Sequence, residues 1–272
     1  DRTRMGVRCG AALAVSGVII QGITRNPLGD PGLLGITVGA SAAIVLVAAV
    51  TGAGVGSRSI WVALAGALAT VVVVYAVGAR SASGSVVALL LTGAVVSAVL
   101  SATIQAVILT NPTVFDSFRF WVIGSLGGRD VDVALAIAPA LVVGLALAIV
   151  LAPSLNNLAL GEDVATSLGT PVAAVRAGGI LAAALLAAAA TAAVGPIALV
   201  GLVVPHLTRS LVGADHRWQV PVAALLGSCL LVTADVVGRV LARPEEIMVG
   251  IVTALVGAPF LLLAVRRGWA AR

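Results

Sequence analysis

Asp235 and Arg239 stand four residues apart in a span otherwise built largely from Leu, Val, Ala and Gly. At that spacing both project from one helix face, and pairing them makes two charges tolerable in apolar surroundings. His206 follows Pro205 at the end of a short apolar run, and His216 stands beside Arg217. A lone imidazole is a poor metal site, so His206 is read as helix-end packing or hydrogen bonding and His216 as part of a solvated loop. Cys9 and Cys229 lie far apart in apolar runs with no C-x-x-C, which reads as two small buried hydrophobes. No catalytic residue and no metal site are expected. All 16 basic residues are arginine. A Walker-type phosphate loop needs a lysine at the β/γ-phosphates, so the chain is not expected to hydrolyse ATP itself. No basic patch carries interleaved aromatics, which argues against nucleic acid as a partner.

The most informative polar residues are Gln21, Arg25, Asn26 and Asp30, within Q-G-I-T-R-N-P-L-G-D-P-G-L-L-G over 21–35. Long apolar stretches flank them. Pro27, Gly29, Pro31 and Gly32 forbid a regular helix there. A polar, helix-breaking hinge between apolar spans is expensive in lipid unless it lines a polar surface or meets a partner.

The elements that must position this hinge are membrane helices. Of 272 residues, 60% are hydrophobic and 10% charged, and mean hydropathy is +1.17. A soluble domain of this size could not hide that much apolar surface. Charge-free stretches such as 31–57, 81–115 and 133–161 exceed the ~20 residues that cross a bilayer as helix. The alternation of a membrane barrel is absent. The fold class is therefore an all-α polytopic membrane protein with nine segments, near 5–24, 33–51, 60–79, 86–109, 131–152, 172–193, 197–211, 220–240 and 247–266. Gly195-Pro196 and Pro205 weaken 197–211, which is not expected to cross fully. The whole chain, 1–272, reads as a single transmembrane domain. Arginines divide evenly between the two sides, so charge bias does not orient it.

Two connections stand out. Residues 153–171 form the longest polar connection on the Arg25 side. Asn156 or Asn157 is placed to start a short helix there, and Glu162-Asp163 to favour the N-terminus of another. Such a helix would be presented to a soluble partner. The loop 110–132 lies on the opposite side, and its aromatics, Trp121 among them, read as interfacial anchors.

The motifs resemble those of FecCD-type permeases, the membrane subunits of ABC importers for iron–siderophores, haem and vitamin B12. The stretch 21–35 resembles the first family signature, G-L-V-V-P-H-L-T-R-S-L-V-G-A-D-H-R at 201–217 the second, and V-G-I-V-T-A-L-V-G-A-P-F at 249–260 the third. The resemblance implies several roles. Leu160, Gly161, Glu162, Ala165 and Gly169 look like the coupling segment that sits in a cleft of the cytoplasmic ATPase, which makes the Arg25 side cytoplasmic and 153–171 a coupling loop. Asn26 and Leu28, with the turn near Ser85, look like the cytoplasmic gate, and 86–109 like the helix lining the path. Arg239 and Arg2 match outward-facing arginines that meet acidic residues of an extracytoplasmic substrate-binding protein. The family has ten spans and nine are read here, so the first is expected upstream. Arg2 stands in a segment that usually reads R-x-P-R, whose leading arginine is not seen. Arg4 and Arg8 fall where relatives are apolar.

The implied function is a permease subunit of the bacterial cytoplasmic (inner) membrane. It is not an enzyme and holds no cofactor. Its partners would be an ABC ATPase dimer that binds ATP and Mg, a second permease (identical or sister), the binding protein and membrane lipid. A ferric siderophore is favoured as cargo, with cobalamin or haem as the alternative. An ion-coupled secondary transporter is a different class, and it usually carries mid-membrane carboxylates; only Asp235 is a candidate. A non-transporting scaffold would give no reason for the 21–35 hinge.

Overall fold

The structure, a computed structural model, describes residues 1–52, 59–78, 86–128 and 131–266. Every regular element among them is helical. In chain order these are α1 (Arg2–Thr24), a 3-10 turn (Pro31–Leu34), α2 (Ile36–Thr51), α3 (Ser59–Gly78), α4 (Val86–Thr110), α5 (Pro112–Trp121), α6 (Val131–Ala159), α7 (Glu162–Ser167), α8 (Val172–Val194), α9 (Val200–Val212), α10 (His216–Leu241) and α11 (Val249–Arg266). The nine segments read from the sequence are the nine helices other than α5 and α7. Six of them, α1, α3, α4, α6, α8 and α10, are long and apolar enough to cross a bilayer.

Helix α1 is the core of the bundle. From Cys9 to Ile23 nearly all of its side chains are buried, which is the behaviour of a helix apolar on every face. It lies among α6, α8, α9 and α10. Lipid supplies no hydrophobic drive between helices, so they associate through close packing of small residues. Gly10 faces the backbone of Gly227 on α10, and Gly17 faces that of Gly201 on α9, so closely that a Cβ at either glycine would collide with the facing carbonyl. Against α8 the small residues are alanines, buried from Ala182 through Ala193 except half-buried Leu185, and Ser16 Oγ donates to the carbonyl of Ala183 at 2.8 Å.

Lengths follow the bilayer. The 29 residues of α6 rise about 43 Å at 1.5 Å each, more than the ~30 Å hydrocarbon core. Its last turns therefore project beyond the membrane. The 13 residues of α9 rise only about 20 Å, so α9 does not span, in keeping with the Gly195-Pro196 break before it and Pro205 within it.

Three local expectations are corrected. Helix α6 runs through Pro153 to Ala159, so Asn156 and Asn157 end a helix instead of starting one. Leu155 and Leu158 are fully buried and hold the last turns down despite the proline. The 110–132 loop contains α5, and its Phe118 and Trp121 stack at 6.0 Å as buried residues, not interfacial anchors. Cys9 is buried as expected, but Cys229 is exposed on α10, on a side of that helix where Leu225 is exposed as well.

Gly17→Val forces a branched side chain against the α9 backbone. Overpacking of this kind costs about 1–3 kcal/mol, and a backbone obstacle cannot yield as a side chain would. A lowered unfolding temperature in detergent is expected. Gly178→Ala is the control: its methyl would meet only the tip of Leu151, at 3.3 Å, and should change that temperature little.

Candidate functional site

The hinge between α1 and α2 is a run of self-capped turns. Arg25 ends α1 in the left-handed region at φ 51°. The Leu28 amide donates to Asn26 Oδ1 at 2.9 Å, and the Gly29 amide to the Asn26 carbonyl at 3.0 Å. Asp30 Oδ1 accepts from the Gly32 amide at 2.7 Å, and Gly35 closes the 3-10 turn at φ 76°. Each polar side chain thus replaces a backbone partner that the broken helix lost. The turn folds back into the bundle. Pro31 and Asp30 pack toward Gly201 of α9, and the Leu33 carbonyl lies against Gly93 of α4. Gln21, buried one turn before the break, reaches the Leu202 carbonyl at 3.4 Å. Of the residues assigned to the gate, Asn26 is half-buried and Leu28 exposed; Ser85 lies outside the described residues.

Helix α7 stands at the same end of the bundle. Gly161 and Gly169 bracket it at φ 116° and 78°. No atom lies within 4 Å of where a Cβ would sit at either position, so glycine is required there for backbone conformation, not for space. Glu162 and Asp163 occupy the first turn, as the sequence suggested, where carboxylates favour the helix N-terminus. Glu162 pairs with Arg176 of α8. Asn157 Nδ2 donates to Thr170 Oγ1 at 2.9 Å, and the Thr170 amide donates to the Ala165 carbonyl at 2.9 Å. Ala165, assigned to the coupling face, is fully buried: it seats α7 on the bundle and presents nothing outward. Glu162 and Gly169 are exposed, and the large apolar residues that face outward are Leu160, Val164 and Leu168, with exposures of 64%, 45% and 58%. Val164 and Leu168 were missed; their one-turn spacing beside a polar loop was the available signal.

Between these two parts lies a partly buried polar network. Asn156 Nδ2 donates to Asp215 Oδ1 at 2.6 Å, and Asn156 Oδ1 accepts from the backbone amide of His216 at 2.8 Å. His216 Nδ1 lies at the same distance from that oxygen. An amide proton on one side and a carboxylate on the other orient the Asn156 amide, so Nδ1 carries the imidazole proton. His216 is therefore a buried residue, not part of a solvated loop, because α6 extends far enough to cover it. Its Nε2 is buried without a hydrogen-bond partner. Asp215 also caps α10 through the Arg217 amide at 2.9 Å. The Asn156 and then the Arg217 hydrogen bonds hold its carboxyl below the usual aspartate range.

The other end of α1 carries charge. Arg2 pairs with Asp235 at 2.9 Å and with Glu246 at 2.8 Å. Arg239 pairs with Asp235 at 3.2 Å, the intrahelical pair expected from their spacing. Asp235 is nearly buried, while both arginines remain in part accessible. Arg2 is thus already committed to two internal carboxylates. Among the described residues no group of three or more His, Cys, Asp or Glu stands close enough to hold a metal ion.

Two outcomes follow. Asp235→Ala leaves two arginines sharing Glu246 or water; the loss should be on the order of 1–3 kcal/mol, since both arginines can rehydrate, read as a lower unfolding temperature in detergent. For Asp215 the folded pKa is depressed, so its contribution is present above the ordinary aspartate range and is lost as pH falls through the depressed value. Wild type should therefore exceed Asp215→Asn in stability at neutral pH and converge with it in acid, as followed by thermal unfolding across pH.

The FecCD transport family model matches residues 1–267. The ferric enterobactin transport system permease protein FepD of Escherichia coli is 45% identical over 268 residues, covering 98% of this chain and 80% of that protein. The hemin transport system permease protein HmuU of Yersinia pestis is 37% identical, covering 98% and 81%. The cobalamin import system permease protein BtuC of Halobacterium salinarum is 39% identical, covering 97% and 71%. A solved structure described as an inward-facing conformation of a metal-chelate type ABC transporter superposes with a TM-score of 0.89 at 31% identity, covering 98% of this chain and 85% of that one. With α1, the hinge and α7 held as described, the chain belongs to the FecCD transport family.

Proposed function

We propose that the chain is the membrane-spanning permease subunit of an ABC importer of the bacterial inner membrane, and that its cargo is a ferric siderophore. The observation that carries the reading is α7. Val164 on this short helix, with Leu160 just before it and Leu168 at its C-cap, is exposed beside Glu162 and Asp163 at the polar end of the bundle. Large apolar side chains on a water-facing helix mark a protein contact. The partner that fits is a cytoplasmic ATPase dimer, which supplies the ATP and Mg chemistry. The chain itself contributes no catalytic group. Hydrolysis in the partner moves α7, and α7 moves the bundle.

The rest of the assembly follows the same logic. A second permease, identical or sister, packs beside α4, which is largely unburied in the single chain and lines the path. Remaining apolar faces meet lipid. Asn26 and Leu28 form the inner gate together with the turn near Ser85. Arg239, with its head in part accessible, meets an acidic residue of an extracytoplasmic binding protein. Arg2 can do so only by sharing or leaving Asp235 and Glu246. Relatives named for iron chelates, ferric enterobactin and Fe(3+)-citrate among them, support iron as the metal carried. An ion-coupled mechanism is not supported by Asp235, which is held by two arginines near the end of α10.

Leu168→Glu places a charge where an apolar contact is proposed. Co-purification of the ATPase should fall at least about tenfold, since desolvating a charge at an interface costs more than ~1.4 kcal/mol. Size-exclusion chromatography of the variant permease should remain monodisperse. Undiminished capture of the ATPase would remove α7 from the contact.

A further inference from the structure

The network around His216 joins α7 to the α1 hinge, and nothing in the importer reading uses it. Its α6 half is cross-linked by side-chain bonds. Asn157 binds Thr170 and Arg176 binds Glu162, so the end of α6, α7 and the start of α8 are tied together. Asn156, the adjacent residue, is bonded to Asp215 and to the His216 amide, the first residues of α10. The imidazole then crosses to α1. A Cβ on Gly22 would lie 2.6 Å from His216 Nε2, so ring and α1 backbone are in direct contact. The ring cannot swing aside, because Asn156 Oδ1 holds both its Nδ1 and its backbone amide. Gly22 is three residues before Arg25, where α1 breaks into the hinge.

Two features mark this contact as more than filling. Buried polar atoms are nearly always satisfied, yet among the described residues Nε2 has no hydrogen-bond partner. It meets Gly22 through shape alone, a contact that can transmit a push without a hydrogen bond to break. In addition, α1 leaves no room at Gly22 for any side chain while His216 is in place. A displacement of α7 thus reaches the hinge through a chain of bonded and touching groups.

We propose that Asn156 and His216 are positioning residues that carry the movement of α7 to the α1 hinge through contact with Gly22. This rests on the reading of α7 as the ATPase-coupling element. The test uses the full permease–ATPase complex, with Cys229 replaced by Ala and a fluorescent label at one of two positions: Ser167→Cys, which reports on α7, or Leu28→Cys, which reports on the hinge. The probe is ATP with vanadate, so no cargo needs to be known. In the complex with otherwise native sequence, both labels should shift on nucleotide trapping. In Asn156→Ala and in His216→Ala the Ser167 label should shift as before, while the Leu28 label loses most of its shift. Gly22→Ala approaches the same contact from α1, displaces the ring and should give the same split. The double variant Asn156→Ala/His216→Ala should lose no more than either single one, because both act on one path. A purely structural role would weaken both labels' shifts together, in proportion to lost assembly, and that result overturns the proposal. So does a full Leu28 shift in all three single variants. If neither label shifts in the otherwise native complex, the coupling reading of α7 itself fails, and the joint fails with it.

Discussion

Helix α1 can be buried on every side only because its neighbours approach to backbone contact. In lipid no hydrophobic gain rewards helix association, so stability comes from dispersion over closely matched surfaces. Gly10 against Gly227, Gly17 against Gly201, and the alanine face of α8 make those surfaces. The remaining helices then arrange around a fixed axis. The two ends of that axis carry the polar residues, because only there can charges and amides find partners or water.

The same constraint explains the hinge. Once α1 stops at Arg25 the chain returns into the bundle, where each exposed amide or carbonyl would be costly. Asn26, Asp30 and the glycines supply local partners and turn geometry in place of helix. The 3-10 turn can then pack its backbone against α9 and α4. A segment built this way makes few long-range hydrogen bonds of its own. It can move as a unit when a neighbour pushes it, which suits a gate.

The opposite end is locked differently. Asp235 accepts from Arg2 and Arg239, which joins the start of α1 to the end of α10. At the α7 end the link to α1 is a packing contact: Asn156, itself bonded to Asp215, holds the His216 ring against Gly22. A charged triad resists separation through strong, directional pairing. A packed imidazole makes no hydrogen bond to α1 and bears on it by shape alone. The two ends of α1 are thus held by different interactions, ion pairs at one and packing at the other.

Hydropathy and helix-breaking residues were enough to read nine of the helices, because span length and the cost of unpaired backbone in lipid are local constraints that leave a local record. The 21–35 hinge, the shortness of α9 and the Asp235–Arg239 pair were legible for the same reason, as were Glu162 and Asp163 in the first turn of α7. The failures were all matters of what lies opposite. Asn156 looked like a helix start because its capping chemistry is the same whether it opens a helix or bonds across to another. Burial was decided there as well: Ala165 of α7 is buried, while Val164 and Leu168 are exposed. His216 looked solvated beside Arg217, and Trp121 looked like an anchor, until the surrounding helices were in place to bury them. By itself the sequence determined which segments are helices and where they break, since those depend on residues within one turn of each other. Only the tertiary structure decided that Arg2 binds Asp235 and that His216 touches Gly22, because those contacts join residues about two hundred positions apart and exist only once α1 has packed against α10.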